Sequence, residues 1–295
     1  MKQTVLITGT STGLGYATAM SLASAGQDVF ASMRNPSRAP ELQALATKDK
    51  LPITVIQMDV DDDASVKAGI KTVLDARGHI DVLVNNAGIA WMGSVEEMPL
   101  DQFRQVMETN YFGALRCMQA VLPSMRARRS GRIINISSVA GKVSSAGHGA
   151  YAASKFALEG LAESLAAEVR PFNVRVNLVE PGVIETSIFG KVGDVSSAIY
   201  PGARRMNAIF GAALEHPVPA SVIGDLVRDI VADDSWQLRY SGGPAAAGLI
   251  GWRASMTDEQ FISIGALDDD AWCDFMEKNL GLPVRAHLAP RPASV

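Results

Sequence analysis

The chain has 295 residues, of which 47% are hydrophobic and 20% are charged, with a formal net charge of −4. This composition supports a sizeable buried core, and the mild negative charge argues against nucleic acid or an anionic membrane as a partner. The two cysteines are far apart and the four histidines do not cluster, so the sequence predicts neither a disulfide nor a metal site.

The start of the chain and its hydropathy bear on localisation. The first strand is predicted to begin at about residue 3, which leaves no room for a signal peptide. No apolar run approaches the roughly 20 residues that a membrane helix needs. We therefore expect a cytoplasmic protein.

A glycine-rich turn follows the first predicted strand. Residues 4–8 form an apolar, β-branched run, and Gly9, Gly13 and Gly15 follow before a helical stretch over 16–25. Glycines at such a turn let the backbone approach a pyrophosphate, and the helix N-terminus offers free N–H groups to the anion. The arrangement predicts a dinucleotide site, although an ordinary strand-to-helix turn gives the same pattern.

Further apolar strands alternate with helices up to about residue 180. They are predicted over 28–33, 53–58, 81–84 and 132–136, with a sixth strand ending before Pro181. Because no Pro/Gly/Ser linker interrupts this alternation, it predicts one α/β domain with a doubly wound, mostly parallel sheet and helices on both faces.

Tyr151 and Lys155 are spaced as Tyr-x-x-x-Lys in a predicted helix, and Ser138 precedes the tyrosine by thirteen residues. Residues four apart share a helix face. A free phenol has a pKa of about 10, and a nearby ammonium favours the phenolate, so the pair would make a usable general acid/base. A tyrosine that merely packs on a helix produces the same spacing.

The motifs follow one another in a specific order along the chain. They are Thr8-Gly9-x-x-x-Gly13-x-Gly15, Asp59, Asn85-Asn86-Ala87-Gly88, Asn110, Ser138, Tyr151 with Lys155, and Pro181-Gly182 with Thr186. Over about residues 1–190 this series resembles the short-chain dehydrogenase/reductase family. The resemblance implies a single-domain Rossmann fold over 1–250 with a seven-stranded sheet, and an NAD(P)-dependent oxidoreductase acting on CH–OH donors.

The resemblance also implies roles for the motif residues. Tyr151 would be the general acid/base, Lys155 would lower its pKa and bind the nicotinamide ribose, and Ser138 would hydrogen-bond the substrate oxygen. Asn110 would hold a water that joins Lys155 to solvent. The cofactor contacts implied are Gly9, Ser11, Thr12, Gly13, Leu14, Gly15, Arg34, Asp59, Val60, Asn86, Ala87, Gly88, Tyr151, Lys155, Pro181, Gly182, Val183 and Thr186.

The end of the second strand bears on the choice of cofactor. By comparison with the family, the acid that selects NAD would fall at about Met33, and the next residue is Arg34, with Arg38 further on. A guanidinium can take a 2′-phosphate in a bidentate grip, so the sequence favours NADP(H) over NAD(H). The alternative is that Arg34 is a solvent-facing turn residue.

Three mostly apolar segments would cover the substrate, and they predict a small-molecule substrate that is an apolar carbonyl or alcohol. They are 90–92, 141–148 and a lid over about 188–216, in which Met206, Ile209, Phe210 and Leu214 suggest a helix. The substrate contacts expected are Trp91, Ser138, Val143, His148, Tyr151 and Phe189. His148 has the alternative of being an ordinary loop residue.

The last part of the chain is predicted to hold a helix over 219–233 and a final strand over 236–240. A C-terminal extension over 251–295 would contain two short helices opened by Thr257 and Asp268. The segments 30–34 and 238–244 resemble the hydroxysteroid and retinol dehydrogenase-like branch of the family.

The family resemblance further implies a homodimer or homotetramer formed through the helices that carry Tyr151 and Asn110. A stripe of Leu158, Leu161 and Leu165 on the first of these helices would either form an interface or face the sheet.

Three alternative functions compete with the oxidoreductase. An NADPH-binding regulatory protein would usually lack the tyrosine or the lysine, and this chain has both. A sugar-nucleotide epimerase would need a glycine where Thr12 stands. An enoyl reductase usually has its tyrosine and lysine further apart.

Overall fold

The computed structural model describes residues 2–186 and 199–290. Within these ranges, seven parallel strands form one sheet in the order β3-β2-β1-β4-β5-β6-β7. The strands are β1 (Thr4–Thr8), β2 (Asp28–Met33), β3 (Ile53–Gln57), β4 (Val82–Asn85), β5 (Gly131–Ile136), β6 (Val174–Pro181) and β7 (Arg239–Gly242). The prediction of a doubly wound Rossmann fold is confirmed, with every observed pairing parallel.

Helices cover both faces of this sheet. In the described part of the chain they are α1 (Gly13–Ser24), α2 (Glu41–Lys48), α3 (Asp63–Arg77), α4 (Leu100–Met107), α5 (Gly113–Arg128), α6 (Gly149–Val169), α7 (Pro201–Leu214), α8 (Ser221–Ala232), α9 (Ala246–Ala254), α10 (Asp258–Ser263) and α11 (Asp269–Leu280). None of these helices has the length and apolar character required to cross a bilayer.

Alternation along the strands divides the core into two layers. In β1, Leu6 points into a cluster formed with α3, α5 and α6, whereas Val5 and Ile7 point into a cluster formed with α1, α2 and α8. All three side chains are fully buried, as expected for a central strand whose two faces are both covered. Strand order reverses between β1 and β4, and in such sheets ligands bind beyond the carboxyl ends at this point.

The leucine stripe on α6 belongs to the first of these layers. Leu158 and Leu165 are buried in the core, and Leu161 packs against it. Of the two alternatives that the sequence left open, the stripe therefore faces the sheet, because the apolar side of a helix lowers its free energy by covering the apolar face of the sheet.

The final strand lies later in the chain than predicted. β7 begins at Arg239, opposite Leu178 of β6, whereas the prediction began it at Trp236. Trp236 is 40% exposed, and the guanidinium groups of Arg170 and Arg175 stack over its ring. These cation–π contacts hold the aromatic ring at the surface, outside the sheet.

The C-terminal extension packs on helix α7. Trp272, Cys273 and Met276 of α11 form an apolar cluster with Ala208 and Ala212 of α7. The two helices predicted here are present, because Thr257 and Asp268 accept the N-terminal backbone N–H groups of α10 and α11 as predicted. Helix α9 was not predicted.

Candidate active site

A cavity of about 1450 Å³ lies at the carboxyl ends of the strands. Most of the residues that the sequence selected line it. They are Gly9, Ser11, Thr12, Gly13, Leu14, Arg34, Asp59, Val60, Asn86, Ala87, Gly88, Ser138, Val143, His148, Tyr151, Lys155, Pro181, Gly182, Val183 and Thr186. Gly15, Asn110 and Trp91 do not line it, and Phe189 lies outside the described residues.

The glycine turn after β1 is fastened to the end of β4. The Thr8 hydroxyl accepts the backbone N–H groups of Asn86 and Ala87 at 3.0 Å each, and Asn86 Nδ2 donates to the Thr8 and Gly9 carbonyls. Gly9 has φ +71°, and a Cβ there would come within 2.7 Å of Ala87 Cα. Only glycine fits at this position, and the backbone beside it stays open to the cavity.

Gly15 has a packing role one turn further on. A Cβ at Gly15 would lie 2.4 Å from both Asn86 Nδ2 and the Gly9 carbonyl oxygen, so this glycine lets α1 pack closely under the turn. Helix α1 begins at Gly13, and Gly13 and Leu14 line the cavity. The N-terminal end of α1 therefore faces the cavity and could hold the pyrophosphate of a dinucleotide.

The far end of the cavity is polar and lies beyond β2 and β3. Arg34, Asn35 and Arg38 line it on one side, and Asp59 and Asp61 line it on the other. Two of these residues, Asn35 and Asp61, were not predicted from the sequence, although both lie within two positions of a predicted residue. Their proximity to a strand end was the signal that could have found them.

Burial raises the pKa of the Asp61 carboxyl, and two neighbours oppose the effect. A hydrogen bond from Thr109 and the positive charge of Arg34 both lower this pKa, while the charge of Asp59 raises it. Asp59 also accepts the backbone N–H of Asp61 at 3.1 Å, so it caps the turn after β3, and Asp62 caps α3. This end of the cavity thus carries two arginines, Arg34 and Arg38, and two acidic residues, Asp59 and Asp61.

Tyr151, Ser138 and Lys155 meet in the middle of the cavity. Burial raises the pKa of Tyr151 to about 12, and the Ser138 hydroxyl beside the phenol partly offsets this effect. Lys155 Nζ donates to the Ile136 carbonyl at 2.8 Å and lies 5.5 Å from the centre of the Tyr151 ring. Burial lowers the pKa of Lys155 to about 8, and the charge of Glu159 raises it.

The electrostatics of this pair differ from the expectation that Lys155 acidifies Tyr151. In the protein chain itself the loss of hydration raises the pKa of the phenol, and the opposing influence is the hydrogen bond with Ser138. The ammonium lies over the ring face and donates a hydrogen bond to a backbone carbonyl. The phenol is therefore protonated at neutral pH.

Asn110 does not line the cavity, but its side chain hydrogen-bonds to the backbone of Ile89, which does. It lies in a π-helical turn, Glu108–Phe112, between α4 and α5. Its Oδ1 accepts the Ile89 N–H at 2.8 Å, and its Nδ2 donates to the Ile89 carbonyl and to Ser154 Oγ. Ser154 in turn donates to the Tyr151 carbonyl. The asparagine side chain thus connects the loop after β4 to the helix that carries Tyr151.

His148 forms part of the wall against which a substrate would lie. Its imidazole stacks on the Tyr151 ring with 4.7 Å between centroids, and the Phe210 ring meets it edge-on at 6.0 Å. Desolvation lowers the pKa of His148 to about 4, so the imidazole is neutral at neutral pH.

Trp91 does not line the cavity, although the sequence predicted that it would contact the substrate. Its indole Nε1 donates to Gln105 on α4 at 3.2 Å, while its neighbours Ala90 and Met92 line the cavity. A tryptophan N–H requires an acceptor, and the Gln105 side chain provides one outside the cavity.

Helix α9 and the C-terminal extension supply a cavity wall that was not predicted from the sequence. The lining residues on this side are Leu249, Trp252, Phe261, Ile262, Ile264, Gly265, Trp272, Met276, Leu280 and Leu282. They meet Met206, Ile209 and Phe210 of α7 across the cavity. The sequence feature that could have revealed this wall is the presence of large aromatic residues in a tail that the Rossmann fold itself does not require.

Comparisons with known proteins place these features in context. The sequence model of the short chain dehydrogenase family matches residues 3–196. Retinol dehydrogenase 8 of Homo sapiens is 43% identical over 205 residues, which are 68% of this chain and 65% of the relative. The chain thus spans about two thirds of the length of that curated relative.

Solved structures agree with the sequence match. A short-chain dehydrogenase from Streptomyces avermitilis shares 32% identity with a TM-score of 0.78, covering 90% of this chain and 98% of its own. A metagenomic short-chain oxidoreductase in complex with NADP shares 28% identity with a TM-score of 0.65, covering 81% of this chain and 96% of its own.

Proposed function

Because this chain belongs to the short-chain dehydrogenase family, we propose that it is an NADP(H)-dependent oxidoreductase that interconverts a hydrophobic ketone or aldehyde and the corresponding alcohol. The observation that carries the proposal is the position of Tyr151, Ser138 and Lys155 in one cavity. That cavity continues to the glycine turn at one end and to an apolar chamber at the other.

The residues present fit a nicotinamide dinucleotide. The glycine turn lines the cavity and would leave room for a pyrophosphate beside the backbone, and the N-terminus of α1 would face its charge. When bound, the cofactor supplies or accepts the hydride. Asp59, Val60 and Thr186 would complete its enclosure along the sheet edge.

Selection of NADP(H) would depend on the two arginines at the end of β2. Arg34 and Arg38 both line the cavity, and a guanidinium can bind a 2′-phosphate through two hydrogen bonds. The residue at the end of β2 is the buried Met33, which cannot hydrogen-bond a ribose hydroxyl as a carboxylate would. The NADP complex of the metagenomic relative is consistent with this preference.

Tyr151 would move the proton. Because its pKa is raised to about 12, the phenol holds a proton at neutral pH and could pass it to the oxygen of a carbonyl that is being reduced. The Ser138 hydroxyl lies beside the phenol and would donate a hydrogen bond to the same oxygen as negative charge develops on it. Lys155 would bind the ribose hydroxyls and keep a positive charge close to the reacting atoms.

The substrate would be bulky and apolar. Val143 and His148 line the cavity next to Tyr151, and Phe210 adds an aromatic edge. Trp252 and Phe261 from the extension close the far side. Burying a large apolar ligand against these residues would stabilise the complex by about 25 cal/mol for each Å² of apolar surface removed from water.

The test is oxidation of NADPH and NADH, followed by absorbance, with bulky apolar ketones and small polar ketones assayed in parallel. The proposal expects turnover with NADPH and the bulky ketones. Tight NADPH binding without turnover on any ketone would contradict it and would favour the regulatory alternative.

A further inference from the structure

A partly buried ionic cluster lies one helical turn beyond Lys155 on α6. Glu159 is only 4% exposed, and its Oε2 accepts a hydrogen bond of 2.9 Å from Arg239 Nε on β7. Arg239 also binds Glu163 of α6, and its Nε lies 3.6 Å from a carboxylate oxygen of Glu180 on β6. In this cluster of described residues, three carboxylates share one guanidinium.

Glu159 packs tightly against the turn that carries Ser138. A Cβ built on Gly141 would come within 2.9 Å of Glu159 Cγ and 2.8 Å of Ser137 Oγ, so the glycine makes room for the acid. Glu159 Oε1 and Ser137 Oγ are both buried without a hydrogen-bond partner among the described residues. The Glu159 carboxylate therefore lies in a polar recess next to the turn that carries Ser138.

A carboxylate at this position is costly. Neighbouring positions on the same helix, Leu158 and Ala162, pack in the apolar core, and an apolar residue at 159 would avoid the desolvation of a charge. Pairing with Arg239 offsets that cost. The exposed Glu163 already gives Arg239 a partner, so the ion pair alone does not account for a second, buried acid.

Lys155 supplies a reason for the buried charge. Its ammonium is 4% exposed and is bound to the neutral carbonyl of Ile136, which does not balance its charge. Residues at i and i+4 lie on the same helix face, so Glu159 lies on the side of α6 that carries Lys155. The charge of Glu159 raises the pKa of Lys155 against the effect of burial.

We propose that Glu159, held by Arg239, is a positioning residue that supplies the counter-charge of the Lys155 ammonium. It keeps Lys155 charged while Tyr151 transfers its proton. This inference rests on the proposed function, because the charge of Lys155 matters only if proton transfer occurs at Tyr151.

The other charged groups around Glu159 do not replace it. They come from four elements: Lys155 and Glu163 of α6, Lys142 after the Val139–Gly141 turn, Glu180 of β6 and Arg239 of β7. Burial and the charge of Glu159 both raise the pKa of Glu180, which weakens it as a second anion. Glu163 is 63% exposed, so water screens its charge.

The test is an NMR titration of the Lys155 ε-amino group in the full chain with isotope-labelled lysine, assigned by the loss of its signal in Lys155→Met. Glu159→Gln removes the negative charge, so the pKa of Lys155 is expected to fall by roughly 0.5–1 pH unit. Glu163→Gln is the matched control, since it makes the same chemical change at another Arg239 partner, and it should leave the titration unchanged. An unchanged titration in Glu159→Gln, or an equal shift in both variants, overturns the proposal.

Kinetics provide a second measurement that a merely structural role would not alter. For ketone reduction, the alkaline limb of the kcat profile should move to lower pH in Glu159→Gln by the shift seen in the titration. If Glu159→Gln does not fold, the double variant Glu159→Met with Arg239→Met replaces it. This variant removes both partners of the ion pair, a change that proteins often tolerate. A fall in the pKa of Lys155 is still expected. A wild-type protein without turnover would overturn the proposed function alone, because the titration still decides the role of Glu159.

Discussion

The imidazole of His148 stacks on the phenol ring of Tyr151, with 4.7 Å between ring centroids and 17° between the ring planes. Desolvation in the same place lowers the pKa of His148 to about 4. The histidine therefore serves as a neutral aromatic surface that supports the tyrosine on the side of α7. In the proposed reaction the phenol donates the proton.

This relationship predicts a dependence of stability on pH. The unfolded chain binds a proton at His148 below its ordinary pKa of 6.5, whereas the folded chain resists protonation down to about 4. The contribution of neutral His148 to the free energy of unfolding is fully present above pH 6.5 and is lost as the pH falls toward 4. The free energy of unfolding should change by at most about 1.4 kcal/mol per pH unit in this range. Urea unfolding at several pH values measures it. His148→Phe should keep the stacking and reduce the slope; an identical slope in that variant would show that another group is responsible.

Tyr151→Phe should abolish turnover while NADPH still binds. The substitution removes only the hydroxyl, and general acid catalysis of this kind contributes about 10²–10⁴-fold to the rate. Steady-state kinetics and fluorescence titration with NADPH measure the two effects separately. Tyr111→Phe, in the π-helical turn, is the control and should retain full activity. Retention of wild-type turnover by Tyr151→Phe would exclude the proposed role of this phenol.

Arg34→Asp should shift the cofactor preference from NADPH toward NADH. The change removes a donor for the 2′-phosphate and adds an acceptor for a ribose hydroxyl, which together should raise KM for NADPH by about 10-fold or more. Arg104→Asp, at a surface pair with Asp101, is the matched control for the change in charge. If both variants keep the wild-type ratio of kcat/KM for NADPH and NADH, Arg34 does not contact the phosphate.

Asn110→Ala should destabilise the fold more than its size suggests. The substitution leaves the N–H and the carbonyl of Ile89 without their partner and breaks the bond to Ser154, at an expected cost of about 2–4 kcal/mol. Urea unfolding followed by circular dichroism measures the free energy of unfolding. Asn279→Ala, at an exposed helix position, should change it by less than about 0.5 kcal/mol. Equal effects at the two positions would contradict the bracing role of Asn110.

The features that the sequence predicted correctly depend on near neighbours in the chain. β1 and its turn were recognisable because burial on both faces requires a continuous apolar run, and because Gly9 must adopt a positive φ directly after it. The starts of α10 and α11 were recognisable because Thr257 and Asp268 cap N–H groups only three residues away. Each of these signals lies within a single turn or strand.

The features that only the tertiary structure decided depend on which distant segments meet. No local pattern shows that residues between Leu249 and Leu282 line the same cavity as Tyr151, or that Trp91 hydrogen-bonds to Gln105. The same holds for Lys155, whose hydrogen bond to Ile136 and counter-charge at Glu159 depend on how α6 packs against β5, β6 and β7. Spacing along the chain determines which side chains share a helix face. The electrostatics of the site depend on the burial and partners of those side chains, and both come from elements far apart in the sequence.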